Sequence, residues 1–124
     1  MKRNLIGPAA LLMSALFAHQ ANAADAIENV QSLLGACKAG YGTFGNGYCL
    51  GYVGGFADAM VDNELAAKQA GLGRLGVICV SDPSPTYGAY VQAFVNWAQA
   101  HPANWQESKS NGVLEGLSQT WPCP

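Results

Sequence analysis

Thr86-Tyr87-Gly88-Ala89-Tyr90-Val91-Gln92-Ala93-Phe94-Val95-Asn96-Trp97-Ala98-Gln99-Ala100-His101-Pro102 is the stretch that decides the fold. Tyr87, Tyr90, Val91, Phe94, Val95, Trp97 and Ala98 recur at spacings of three and four. That period predicts a helix over residues 86–100 with one broad buried face. Pro102 forces His101 out of helical geometry and ends it. Two starts are open. Ser84 can cap the helix with Pro85 at its first position, or Thr86 can cap it.

The same period extends to both sides. Upstream, Ile27, Val30, Leu33, Leu34 and Cys37 predict a first helix over 24–37, with Asp25 and Glu28 in its first turn. A glycine-rich connection at Gly40, Gly42, Gly45 and Gly47 follows, with no Gly-Lys-Ser/Thr ending that would hold phosphate. A second helix is expected over 48–67, its stripe made of Tyr52, Val53, Phe56, Met60 and Val61. Gly51, Gly54 and Gly55 weaken its first half, which predicts the close approach of another backbone. Asp58, Asp62 and Glu64 read as a solvated face. Residues 70–86 form a loop rich in glycine and proline. Downstream, Asn104 is expected to cap a fourth helix ending near Thr120, with Trp105, Val113, Leu114 and Leu117 inward. No segment alternates with period two, so the expectation is an all-α bundle of four helices.

The cysteines fix how the helices pair. Four of them, Cys37, Cys49, Cys79 and Cys123, allow three connectivities. Cys37 ends the first helix and Cys49 opens the second, and those ends meet in an antiparallel hairpin. Cys79 precedes the third helix and Cys123 follows the fourth, and a second hairpin joins those. The expected bridges are Cys37–Cys49 and Cys79–Cys123. A zinc site is disfavoured because no Cys-x-x-Cys spacing occurs.

Residues 1–23 carry the marks of a secretory signal peptide: basic Lys2 and Arg3, an apolar run from Leu5 to Ala18, and Ala21-Asn22-Ala23 as a cleavage pattern. The run is short and broken for a membrane span. The expected mature domain is 24–124, exported to the periplasm, where thiols oxidise. It keeps four of the six basic residues and all eight acids, a formal charge of −4. That balance, without a basic stripe, argues against nucleic acid and anionic membrane surfaces as partners.

Catalysis finds no footing in the residue inventory. His101 is the one histidine of the mature chain, and its place at a helix end beside proline suits a cap. No Gly-x-Ser-x-Gly or His-Glu-x-x-His pattern occurs. Bridged cysteines leave no thiolate to attack. The expectation is a binding protein, with no cofactor or metal.

Cys49-Leu50-Gly51-Tyr52-Val53-Gly54-Gly55-Phe56-Ala57-Asp58-Ala59, then Ile78-Cys79-Val80, Thr86, Trp97, His101-Pro102 and Trp121-Pro122-Cys123, resemble the type VI secretion amidase-immunity family, the Rap/Tai-type periplasmic immunity proteins. The sequence departs from the family pattern at Cys79-Val80-Ser81-Asp82-Pro83, where proline often stands two residues after the cysteine, and at Ala89, where glutamine is common. The resemblance implies a partner: a secreted cysteine amidase that cuts peptidoglycan stems, whose cleft the immunity protein plugs, often as a homodimer. The element expected to meet that partner is Gly71-Leu72-Gly73-Arg74-Leu75-Gly76, with Ser84 and Tyr87 nearby. Competing readings are an acid-stress periplasmic chaperone and a general envelope scaffold.

Overall fold

Residues 27–74 and 76–124 are described by a computed structural model. Residues 1–26, which include the expected signal peptide and Asp25, and Leu75 lie outside the described residues. Among the described residues there are four α-helices: α1 (Val30–Cys37), α2 (Phe44–Gln69), α3 (Tyr87–Ala100) and α4 (Lys109–Thr120), with a 3-10 turn at Pro102–Asn104 between the last two. No strand occurs among the described residues, and the all-α expectation holds.

The helices form two hairpins. α1 pairs with α2 and α3 with α4, while α3 also lies against α2 and α1. Cys37–Cys49 closes the first hairpin and Cys79–Cys123 the second, both as expected. The core is filled by Val30 and Leu33 of α1, Val53 and Ala57 of α2, Phe94 and Ala98 of α3, and Val113 and Leu117 of α4, all without solvent exposure. Burying each of the larger of these stabilises the fold by about 1.5–3 kcal/mol. Gly112 and Gly116 let α4 come close. A Cβ at Gly116 would stand 3.1 Å from the Cα of Phe94, and one at Gly112 2.5 Å from a Val30 methyl.

Helix boundaries differ from expectation in three places. α1 starts at Val30, so residues 27–29, Glu28 among them, lie outside its first turn. The main chain there is engaged elsewhere. The Val30 amide donates to the Glu107 carbonyl (3.0 Å), the Gln31 amide to that of Trp105 (3.1 Å) and the Lys109 amide to that of Glu28 (3.1 Å). Asn29 and Ser32 complete a reciprocal capping box at the helix start. α2 begins at Phe44, which draws Gly45 and Gly47 from the expected loop into the helix. Thr43 caps that start by accepting from the Asn46 amide (3.2 Å). α4 begins at Lys109 with Ser108 as its cap, whereas Asn104 closes the 3-10 turn. Of the two starts open for α3, the fold uses Thr86, whose side chain accepts from the Ala89 amide (3.2 Å). Trp105, Val113, Leu114 and Leu117 pack inward as expected, and the Trp105 indole donates to the Ala98 carbonyl (2.8 Å).

Candidate functional site

The loop after α2 is shaped before any partner meets it. Gly71 and Gly73 have φ of +68° and +76°, the left-handed region that glycine enters without penalty. Arg74 then ties the loop at two points. Its Nη1 donates to the main-chain oxygen of Pro124 (2.8 Å), and its Nε lies 3.5 Å from Oε1 of Glu64 on α2. Oε2 of the same Glu64 accepts from the Gly76 amide (2.6 Å). Arg74 is thus a clasp between loop, tail and helix. Its side chain is still 47% exposed, and such a pair is worth about 1 kcal/mol or less, so an incoming carboxylate can compete for it.

Downstream, Ile78 is buried and pairs antiparallel with Pro122, and the Cys79 amide donates to the Trp121 carbonyl (2.9 Å). Trp121 meets Tyr90 of α3 edge-on at 5.2 Å. With the Cys79–Cys123 bridge, these contacts hold residues 76–80 against the body of the bundle.

Gly54 has a role that its sequence context did not disclose. The Tyr87 ring of α3 rests on it, and a Cβ at position 54 would lie 2.9 Å from the ring's Cδ2. The approach expected at Gly51, Gly54 and Gly55 is therefore made at Gly54, by a side chain in place of a backbone; Gly51 and Gly55 face open space. Seated there, Tyr87 donates its hydroxyl to the Asp58 carboxylate one turn along α2. That hydrogen bond, with the carboxylate's charge behind it, raises the Tyr87 phenol above its ordinary value of 10.0. Tyr90 is also raised, chiefly by burial and secondarily by Asp58. Asp58 is thus more than a solvated acid: it is held in place.

Two depressions meet at Val61 on the outer face of α2. One, of about 600 Å³, is bordered by Leu65, Lys68, Gly71, Gly73, Arg74 and Val80. The other, of about 360 Å³, is bordered by Asp58, Asp62, Ser84, Pro85, Tyr87 and Tyr90. The fold therefore brings Gly71, Gly73 and Arg74 together with Ser84 and Tyr87 along one two-lobed groove. Leu72 stands beside it, 67% exposed, and Leu65 within it, 54% exposed. The sequence reading missed the share of α2 in this face, because it placed Val61 in the core and Asp58 and Asp62 in solvent and gave Leu65 no role.

Elsewhere, His101 holds the end of α3. Its Nδ1 lies 2.7 Å from the Trp97 carbonyl and its ring stacks on the Trp97 indole at 4.8 Å. At the far end of α2, Tyr48 and Tyr52 stack at 5.9 Å, and the Lys109 ammonium lies over both rings while donating to the Ile27 carbonyl (2.6 Å). Hydrogen bonding to Tyr48 raises the Lys109 ammonium above its ordinary value. All four cysteines are bridged, so the thiols offer no nucleophile. What the groove presents is shape, apolar surface and charge.

The family model of the Rap1a immunity proteins matches residues 29–123, nearly all that is described. The chain belongs to the Rap1a immunity family, and so to the proteins that protect against a secreted effector by binding it. No curated protein and no solved structure matches it.

Proposed function

We propose that this Rap1a-type immunity protein works in the periplasm, where it binds a type VI-secreted peptidoglycan amidase and covers its active-site cleft. The family places the chain among binders of secreted effectors. The observation that carries the finer reading is the groove beside the Arg74 loop, where a stiffened, partly apolar loop is tied to the end of α2. Preordering such a loop lowers the entropy lost on binding. Residues 1–23 supply the export signal in this reading, and two disulfides suit an oxidising compartment. Two copies associate in solution, which sedimentation of the purified domain tests.

The test is a pull-down of candidate secreted cysteine amidases by the purified domain. A peptidoglycan-digestion assay and a cell-lysis protection assay follow it. The expected result is stoichiometric inhibition of one amidase, weakened by Arg74→Ala and by shortening residues 71–76. Failure to inhibit any cysteine amidase, with tight binding to an effector of other chemistry, would remove the amidase from the account and leave immunity standing.

A further inference from the structure

The two lobes of the groove differ in chemistry, and the difference specifies what fills them. The larger lobe presents Val61, Leu65 and Val80 with Glu64, Lys68 and Arg74 at its border, and the exposed Leu72 lies between two of its glycines. The smaller lobe carries two carboxylates, Asp58 and Asp62, one helical turn apart on α2. Among the described residues no cation pairs with either one. The nearby cation whose place is fixed, Arg74, is engaged by Glu64 and Pro124. The Asp58 carboxylate is oriented by the Tyr87 hydroxyl, which is itself positioned by the absence of a side chain at Gly54. Tyr87 and Tyr90 line the same lobe.

We propose that this groove receives an extended segment of the effector in which a lysine or arginine stands beside an apolar residue. The basic side chain enters the Asp58–Asp62–Tyr87 lobe, and the apolar neighbour crosses Val61 to lie against Leu65 and Leu72. Charge complementarity selects the occupant. The oriented Asp58 carboxylate and Asp62 beside it, without a cationic partner, attract a cation, and the tyrosines favour its apolar stem. An acidic or purely apolar segment leaves these carboxylates unpaired as it desolvates them, which is costly. The inference deepens the immunity reading by naming the chemistry of the partner's contact, and it rests on that reading for the partner being an effector.

Two experiments test it. The first needs no effector. The 15N-labelled domain is titrated with acetylated, amidated Leu-Lys-Leu and, separately, Leu-Glu-Leu, while amide shifts are followed. The lysine peptide is expected to move the amides of Asp58, Val61, Asp62, Leu65 and Tyr87 in a saturable, salt-sensitive way. The glutamate peptide and the Asp58→Asn/Asp62→Asn double variant are expected to show binding weaker by about tenfold or more. Equal response to both peptides, or shifts confined to other surfaces, overturns the proposal. Asparagine at 58 can still accept from Tyr87, so the variant keeps the fold, and a preserved amide spectrum verifies this. The second experiment uses the amidase identified by inhibition. Wild type and the double variant are compared for association rate against salt. A variant that associates and inhibits like wild type at every salt concentration sinks the groove assignment while leaving the immunity reading intact. No binding of any amidase by wild type sinks the amidase reading, and the peptide titration then decides the groove alone.

Discussion

Replacing Cys79 and Cys123 together by alanine tests how the binding face is held. The bridge joins residues separated by 44 positions. In the chain-entropy description, a closed loop of that length takes about 13 cal/mol/K from the unfolded ensemble, or about 4 kcal/mol near room temperature. Domains of this size are stable by only about 5–15 kcal/mol in total, so the variant should still fold but with much of its margin gone. The loss should also be local. The Cys79 amide and Trp121 carbonyl, the Trp121–Tyr90 edge contact and the Arg74–Pro124 hydrogen bond all depend on where the tail lies. Urea unfolding followed by far-UV circular dichroism gives the stability difference, and amide exchange at Cys79 and Trp121 gives the local opening. The expected result is a loss of about 3–4 kcal/mol with faster exchange at both amides. A loss under about 1 kcal/mol with protection intact would refute the reasoning, because non-covalent contacts would then suffice to hold the tail.

Three further outcomes follow from particular contacts. Phe94→Ala empties the largest fully buried side chain of the core and should cost about 3–5 kcal/mol in a urea melt, whereas Tyr41→Ala, at 97% exposure, should leave the midpoint unchanged. Gly116→Val pushes a branched side chain toward the Phe94 backbone 3.1 Å away and should lower stability by about 1–3 kcal/mol, seen as a lower Tm. Absorbance titration of the tyrosines should show Tyr87 ionising above 10.0, with Asp58→Ala, which removes both the hydrogen bond and the charge, bringing it back down. The sign is that of a raised native value. The protonated phenol is favoured by the fold, so this contribution is complete below pH 10 and is lost as pH climbs through the raised value; an unchanged titration in the variant would break the Asp58 link.

The bundle was legible because its determinants are local and repetitive. The three- and four-residue spacing in Tyr87–Ala98 gave α3 almost to the residue, and the placing of the cysteines about the two hairpins gave both bridges, although Cys49 lies one turn inside α2 and does not open it. The start of α1 was not legible, because what stops the helix before Val30 is a non-local pairing of residues 28–31 with 105–109. The start of α2 was missed for a different reason. Gly45 and Gly47 read as loop residues, yet Thr43 caps the helix ahead of them. On the candidate site, the glycines and the lone arginine of the loop were visible, as were Ser84 and Tyr87. The α2 side of the groove was not, since Asp58, Val61, Asp62 and Leu65 acquire meaning only when Tyr87 and residues 78–80 are laid against them. One signal was available: a glycine at position 54, one turn before an acid, in a helix that otherwise has reason to avoid it.

Hydrogen–deuterium exchange of the domain, alone and saturated with the amidase it inhibits, addresses the central claim most directly. The account predicts new protection along residues 58–65 of α2, over the 71–74 loop and at the first turn of α3. Protection confined to the opposite end of α2, around Tyr41 and Phe44, with the groove exchanging as freely as before, would contradict it.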